Sequence, residues 1–124
     1  MRLLLDTHVL LWWLEGHTMS ETAVTAIADP GNEVFVSPAS IWEISIKREQ
    51  GKLRIEDGFL QVLNENAFVM LPISWGHALR AGSLPMHHRD PFDRMLVAQA
   101  EQETLTLVTR DEALFRYDID CLAA

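Results

Sequence analysis

Short apolar runs alternate along this chain with longer segments whose apolar residues recur at helical spacing, and this alternation strongly limits the possible folds. Strand-like runs occupy residues 3–5, 34–36, 68–71 and 105–108, with a weaker one near Ile119. Helix-like segments occupy residues 7–15, 18–29, 38–49, 57–66, 74–82 and 91–103, with a short one near Glu112. Alternating β and α units of this length predict an α/β fold, with a mostly parallel sheet of four to five strands and helices on both faces.

Capping residues predict several helix boundaries. Ser37-Pro38 and Asp90-Pro91 each place a side-chain acceptor before a proline, whose fixed φ suits the first helical turn. Thr18 and Glu21 have the spacing of a capping box, which predicts a helix start at Thr18. Gly82 is a candidate for a helix end because glycine favours the left-handed conformation found there.

The length and composition predict one globular domain over residues 1–124. The chain has 124 residues, of which 48% are hydrophobic, and this is enough for a core. No apolar run approaches the ~20 residues that span a bilayer, and the amino terminus lacks the features of a signal peptide. The single cysteine, Cys121, cannot form an internal disulfide. We therefore expect a cytoplasmic protein with no membrane contact.

The charge balance is acidic, because ten Lys and Arg against eighteen Asp and Glu give a formal net charge of −8. Proteins that hold nucleic acid through surface charge usually carry a basic patch, so the charge alone argues mildly against such a partner. Bound divalent cations would reverse the local sign at a reaction centre, and a basic protein partner would mask the acidic surface.

Four acidic residues are predicted to lie at the carboxyl ends of the strands. Asp6 directly follows the first strand, and Asp111 follows the fourth. Glu43 and Asp93 lie within two turns of the starts of helices that open at the Ser-Pro and Asp-Pro caps. Helical spacing puts Glu43 on one face with Ala39, Trp42 and Ile46, and it puts Asp93 on a stripe with Leu96, Val97 and Ala100. Sites in parallel sheets lie beyond this edge.

Each acid also has a simple structural interpretation when it is taken singly. Asp6 suits the N-cap of the first helix, and Asp93 suits a first helical turn, where acids are favoured. Asp111 suits a turn after a strand. Glu43 faces apolar positions and needs a partner, which Lys47 can supply at i+4.

Taken together, the four acids favour a metal site. Carboxylates gathered at one edge repel one another unless a cation lies among them. A set of oxygen ligands with no nearby cysteine suits a hard ion such as Mg²⁺ or Mn²⁺. Such clusters support in-line displacement at a phosphodiester.

Four blocks of this sequence resemble PIN-domain proteins of the VapC toxin type. They are Leu3–Leu14 (LLLDTHVLLWWL), Ser37–Lys47 (SPASIWEISIK) followed by Gly51–Leu53 (GKL), His88–Ala100 (HRDPFDRMLVAQA) and Leu107–Asp111 (LVTRD). The blocks occur in the family's order and span nearly the whole chain. The resemblance implies a three-layer α/β/α PIN fold and a Mg²⁺- or Mn²⁺-dependent endoribonuclease. It also implies that the enzyme is the toxin of a toxin–antitoxin pair, with RNA as substrate and a cognate antitoxin as partner.

The resemblance also implies roles for the acidic residues. Asp6, Glu43 and Asp93 match the family's acidic triad, and Asp111 matches its fourth acidic position. Of these, Asp6 and Asp93 are implied to be the more direct metal ligands. Many relatives carry another acid three residues after the position of Asp111, whereas this chain has Leu114.

Polar residues beside the acids are expected to support them. Thr7, Ser40 and Thr109 would orient the carboxylates or a water molecule. Ser40 and Thr109 are also placed where such residues often bond only to backbone near helix or strand ends.

Three arginines flank the acids in the sequence: Arg89, Arg94 and Arg110. They suit contacts with substrate phosphate beside the metals, and equally salt bridges that offset the acidic cluster. The sequence does not separate these two interpretations.

Aromatic and histidine positions complete the predictions. Trp12 and Trp13 are adjacent on the first predicted helix and cannot both face one core, so we expect one of them to contact a second copy or a partner helix. We therefore expect a homodimer. His87 and His88 are adjacent and lack zinc-ligand spacing, which indicates loop or surface residues. The alternative function is a catalytically silent PIN domain that acts only as a binding module for protein or RNA.

Overall fold

The computed structural model describes all residues from 1 to 124 and contains five strands and six α-helices. The strands are β1 (Arg2–Leu5), β2 (Glu33–Val36), β3 (Val69–Met70), β4 (Thr106–Thr109) and β5 (Cys121–Ala123). The α-helices are α1 (Thr7–Glu15), α2 (Glu21–Ala28), α3 (Pro38–Glu49), α4 (Phe59–Glu65), α5 (Trp75–Ser83) and α6 (Pro91–Glu103). A 3-10 helix (Glu112–Arg116) lies between β4 and β5. None of the six α-helices combines the length and the hydrophobicity that a membrane-spanning helix needs.

The five strands form one parallel sheet in the order β3-β2-β1-β4-β5. This arrangement confirms the predicted α/β/α architecture and its parallel sheet. The chain moves outward from β1 to β2 and β3, and then returns to the other side of β1 for β4. The carboxyl ends of β1 and β4 therefore flank the point where the direction of winding changes, which is where open α/β sheets bind ligands.

Alternating side chains of the central strand pack into two separate cores. Leu4 faces a core that includes Leu96 and Val97 of α6. Leu3 and Leu5 face the opposite core, together with residues of α1, α2 and α3. All three leucines of β1 are fully buried. The run of three apolar residues thus follows from burial of the strand on both faces.

Most predicted helix starts are correct, and the caps explain why. Ser37 and Asp90 accept hydrogen bonds from the first backbone N–H groups of α3 and α6, each followed by its proline. The predicted start of α2 at Thr18 is wrong, because Ser20 is the N-cap and its Oγ accepts from Ala23 N. Gly82 does not end α5, which continues to Ser83.

The buried face of α3 differs from the predicted one. Trp42 is 64% exposed, whereas Ala39, Ser40, Glu43 and Ile44 are buried. Helix α3 packs against both α1 and α6, so its buried face is rotated from the apolar stripe that the spacing indicated. Glu43 is nevertheless buried, as expected.

Both adjacent tryptophans of α1 have partners within the chain. The Trp12 ring lies 4.2 Å below the guanidinium of Arg110, and the indole N–H of Trp13 donates to Asn66 Oδ1 at 3.0 Å. Both rings also pack against the core. These contacts remove the reason for which we expected one of the two indoles to lie at an interface. The most exposed tryptophan is Trp75, at 92%.

Candidate metal centre at the carboxyl edge of the sheet

Asp6 lies at the end of β1 and is held on both carboxylate oxygens. Its Oδ1 accepts from His8 N at 3.0 Å, which makes it the N-cap of α1. Its Oδ2 accepts from Thr109 Oγ1 at 2.6 Å, so the hydroxyl at the end of β4 reaches across to β1. Asp6 is buried. The capping interpretation is therefore correct, and it also fixes the carboxylate at the edge of the sheet.

Asp111 lies beyond β4 and is oriented through Thr109. The Thr109 hydroxyl accepts from Asp111 N at 3.1 Å while it donates to Asp6. Asp111 Oδ1 accepts from Ala113 N at 3.0 Å and caps the 3-10 helix. Thr109 thus connects the Asp6 carboxylate at the end of β1 with the backbone of Asp111 beyond β4.

Asp93 reaches the site from the first turn of α6. Asp90 caps this helix, with Oδ1 accepting from Phe92 N and Asp93 N at 2.8 and 3.3 Å. Because Asp90 is the N-cap of α6, the Asp93 carboxylate is not needed for capping and can face the other acids. One of its oxygens, Oδ2, lies 3.2 Å from His88 Nε2.

Glu43 enters the site from α3 and keeps one oxygen without a partner. Its Oε2 accepts from Lys47 Nζ at 2.8 Å, whereas Oε1 is buried and has no hydrogen-bond partner. Nearby, Thr7 Oγ1 donates to Ser40 Oγ at 2.9 Å, and both residues are buried. This bond joins the starts of α1 and α3 and so fixes the elements that carry Asp6 and Glu43.

The electrostatics show an excess of negative charge around Asp93. Burial and the charges of Asp6, Asp90 and Glu43 raise the pKa of Asp93 from 3.8 to about 7, against a smaller opposing effect of His88. Asp6 behaves differently. Burial acts to raise its pKa, but the hydrogen bonds with His8 and Thr109 outweigh this effect and leave the pKa lowered. The two carboxyls therefore have different proton affinities within one cluster.

His88 is the residue of this cluster that the sequence interpretation missed. Its Nε2 lies 2.8 Å from Asp111 Oδ2 and 3.2 Å from Asp93 Oδ2, and one ligand atom from each of the three residues falls within 4.8 Å of the others. The adjacent His87 instead packs its ring against Tyr117. The sequence contained one indication of this position. His88 lies in the same block as Asp90 and Asp93, and the loop that contains it leads to the same edge of the sheet.

The three candidate arginines occupy different environments. Arg94 is buried and donates to backbone carbonyls of the loop before α6, including those of Leu84 and His88. Arg110 donates to Ala124 O and stacks on Trp12. Neither makes a salt bridge with the acids, so the salt-bridge interpretation is wrong for these two residues. Contact with substrate phosphate stays a prediction. Arg89 is exposed.

The donors in the cluster fit a hard divalent cation. Asp93 and Asp111 bring carboxylate oxygens together, and the unpartnered Oε1 of Glu43 is a further buried oxygen whose desolvation nothing in the chain offsets. Asp6 and Glu43 lie outside the tightest group, yet their charges act on Asp93. A cation would relieve the repulsion that raises the pKa of Asp93.

Comparison with known families and sequences identifies close similarity over nearly the whole chain. The PIN domain family model matches residues 3–120. Ribonuclease VapC22 from Mycobacterium tuberculosis is 33% identical over 116 residues, which cover 90% of this chain and 88% of that protein.

Solved structures show the same fold at low sequence identity. VapBC2 from Rickettsia felis, bound to a DNA fragment from its promoter, matches with a TM-score of 0.74 at 16% identity, over 99% of this chain and 98% of that one. A toxin–antitoxin complex from Klebsiella pneumoniae matches with a TM-score of 0.68 at 21% identity, over 96% and 94% of the two chains. These matches agree with the five-stranded parallel sheet.

Proposed function

This chain belongs to the PIN-domain family, and from that premise we propose that it is a divalent-metal-dependent endoribonuclease, the toxin of a toxin–antitoxin pair. The substrate is RNA, and the cation is Mg²⁺ or Mn²⁺. The relative named a ribonuclease supports the reaction class. The observation that carries the proposal is the cluster that contains Asp93 and Asp111, with Asp6 and Glu43 near enough that their charges help to raise the pKa of Asp93 to about 7.

The residues have distinct parts in the proposed reaction. Bound at this edge, a divalent cation would lower the pKa of an attacking water and offset charge on the phosphodiester oxygens. Asp6, Asp93, Asp111 and Glu43 Oε1 would hold it. Thr109 keeps the Asp6 carboxylate fixed through its 2.6 Å hydrogen bond, which preorganises the site before substrate binds. Arg89, exposed beside Asp90, would contact substrate phosphate.

The test compares RNA 5′ ends in cells after brief expression of the wild type, Asp6→Asn and Asp118→Asn. Asp118 is exposed and makes no side-chain hydrogen bond, so its change removes the same charge outside the site. New RNA ends should appear with the wild type and with Asp118→Asn, and should be absent with Asp6→Asn. Purified wild type should cut the same sites with Mg²⁺ or Mn²⁺ and lose activity in EDTA. Identical RNA ends in all three strains would support the silent binding module instead.

An apolar groove supports the proposed antitoxin partner. It lies between α3 and the segment leading into α4, has a volume of about 380 Å³, and is lined by apolar residues that include Ile41, Ile44, Ile55 and Phe59. Leu60 at its border is 63% exposed. The solved structures of similar fold include VapBC2 and a toxin–antitoxin complex, which supports a partner of this kind. We place the apolar part of an antitoxin in this groove, with an adjoining segment over the acidic edge.

A second apolar surface supports the proposed homodimer. Trp75 and Leu79 are 92% and 79% exposed and lie one turn apart on α5. Exposed apolar side chains of this size favour a protein contact. In a two-fold dimer this face would pack against the same face of the second copy.

Two leucine substitutions separate these partners. Leu79→Glu should convert a dimer into a monomer in light scattering while antitoxin binding remains. Leu60→Glu should weaken copurification with a co-expressed antitoxin while the dimer remains. Each variant serves as the control for the other. A wild type that is monomeric at all concentrations would exclude the homodimer, and an unchanged antitoxin complex with Leu60→Glu would exclude the groove.

A further inference from the structure

The loop that precedes α6 is built around one buried side chain. The guanidinium of Arg94 donates to the carbonyls of Leu84, Pro85 and His88 at 3.0, 3.1 and 3.2 Å, and its Nε donates to Ala81 O at 3.1 Å. A planar group with several donors in fixed directions holds these carbonyls in one arrangement. The backbone of the loop is therefore determined by Arg94.

The hydroxyl of Tyr117 closes the same loop from the other side. It donates to Pro85 O at 2.9 Å and accepts from His88 N at 3.0 Å. Tyr117 is itself buried. The backbone of His88 thus has its N–H bonded to Tyr117 and its carbonyl bonded to Arg94. This leaves the imidazole as the part of the residue that reaches the acidic cluster.

The ring of His88 is restricted to one neutral form. Its Nδ1 lies 3.0 Å from Asp90 N, and a backbone N–H can only donate, so Nδ1 is the acceptor and carries no proton. The proton of the neutral ring is consequently on Nε2. That N–H points at Asp111 Oδ2, 2.8 Å away, with Asp93 Oδ2 at 3.2 Å.

This arrangement argues against His88 as a metal ligand. A neutral imidazole that binds a cation through Nε2 carries its proton on Nδ1, and here that proton would meet the N–H of Asp90. Closeness to Asp93 and Asp111 alone would make all three residues ligands. The hydrogen bond from Asp90 N to Nδ1 distinguishes His88 from the two aspartates, because it makes Nε2 of His88 a hydrogen-bond donor.

We propose that His88 is a positioning residue, which donates from Nε2 to Asp111 and holds that carboxylate beside Asp93 without coordinating the ion. The inference rests on the metal-dependent function proposed above and deepens it. The Asp111 side chain is 39% exposed, and its only other restraint on a carboxylate oxygen is the Ala113 N–H. An N–H directed at both carboxylates offsets their repulsion, so it keeps the second acid within reach of a shared cation.

The first test observes the wild-type ring directly. Protein labelled with ¹⁵N at histidine, with His88 assigned from the His88→Gln spectrum, should show the neutral Nε2–H form before any metal is added. The same form should persist when Mg²⁺ saturates the protein. A neutral Nδ1–H form in metal-free protein, or a change to that form on adding Mg²⁺, would overturn the proposal.

The second test uses two substitutions that separate the two ring nitrogens. Gln in His88→Gln offers an N–H near the position of Nε2 and keeps a donor toward Asp111. Asn in His88→Asn offers an oxygen near the position of Nδ1, which keeps the bond from Asp90 N but cannot reach Asp111. We expect His88→Asn to weaken Mn²⁺ binding by about 10- to 100-fold, and His88→Gln to retain most of the affinity.

The comparison has clear contrary results. Equal loss of Mn²⁺ affinity in both variants, or no loss in either, would contradict a donor role. Melting curves of both variants identify any that fail to fold, and the spectrum of the wild type decides in that case. If the wild type binds no Mn²⁺ or Mg²⁺ at all, the metal-dependent function fails, whereas the metal-free spectrum still tests the hydrogen-bond arrangement of His88.

Discussion

Lys47 Nζ lies 2.8 Å from Glu43 Oε2, while the second oxygen of the same carboxylate is buried without any partner. The pair spans one turn of α3, as the i+4 spacing indicated. One oxygen of Glu43 is therefore compensated within the chain, and the other has no partner there. In the proposed metal centre, the ion pair with Lys47 uses one oxygen of this side chain, and metal binding would use the other.

Glu43→Gln tests which of these roles matters for function. The amide keeps the shape and an acceptor for Lys47, and Lys47 is partly exposed, so the free energy of unfolding should change by less than about 1 kcal/mol. RNA cleavage should fall by orders of magnitude, because a charged ligand of the cation is lost. Melting curves and metal-dependent cleavage are the measurements, with the exposed Glu49→Gln as control. Retained activity together with lower stability would assign Glu43 to the pairing with Lys47 alone.

Lys47→Met tests the same pair from its other side. Without the ammonium group, the buried Glu43 carboxylate has no partner on either oxygen, and metal-free protein should lose about 1 to 2 kcal/mol of stability. A cation should restore more stability to this variant than to the wild type, since it meets a less compensated carboxylate. Lys52→Met is the control, because Lys52 is exposed and makes no side-chain bond. An equal metal-induced rise in melting temperature for Lys47→Met and wild type would contradict this account.

Alternation and capping predicted most of the fold, because these signals are local. Ser37 and Asp90 cap their helices through bonds two or three residues away, so the sequence contains the whole interaction. The buried face of α3 was not predictable in this way. Trp42 is exposed although it belongs to the apolar stripe, because the direction of burial depends on α1 and α6, which are distant in sequence.

The candidate site was predictable in its acids and less so in its supporting groups. Asp6 and Asp111 could be placed because strands end there, and the edge of a parallel sheet gathers such ends. Arg94 makes no salt bridge with the acids although it adjoins Asp93 in sequence, because its helical position turns it into the loop. His88 was missed because its contact with Asp111 spans 23 residues and depends on the folded loop.

The raised pKa of Asp93 predicts a specific pH dependence. Folded Asp93 holds its proton up to about pH 7, whereas an ordinary aspartate loses it near 3.8. The folded state therefore binds more protons between these values, and the stability of metal-free protein should fall as pH rises through this window. Metal affinity should rise over the same window, because the cation competes with the proton.

Melting curves with and without Mg²⁺ between pH 5 and about 8 measure both effects. The Mg²⁺-induced rise in melting temperature should grow up to about pH 7 and then level off. Asp93→Asn should lose most of this rise and its pH dependence, and Asp118→Asn should keep both. A rise that is independent of pH in the wild type would exclude Asp93 as the group that exchanges its proton for the cation.

The same substitution should destabilise the protein strongly at Arg94 and hardly at all at Arg89. Arg94→Lys keeps the charge but loses the planar fork, so carbonyls of the 84–88 loop lose their donors. Arg94→Lys should cost about 3 kcal/mol of stability, whereas Arg89→Lys at an exposed position should cost almost nothing. If Arg94→Lys melts like the wild type, the loop that presents His88 is not held by Arg94, and the geometry proposed for His88 loses its support.

Arg89→Gln then tests the phosphate contact proposed for Arg89. Binding of RNA to an inactive Asp6→Asn background should weaken when this substitution is added, and the slope of log affinity against log salt should fall by about one. The melting temperature should stay unchanged, because Arg89 makes no bond within the chain that its loss would break. If the salt dependence is the same with and without Arg89, this residue does not contact phosphate.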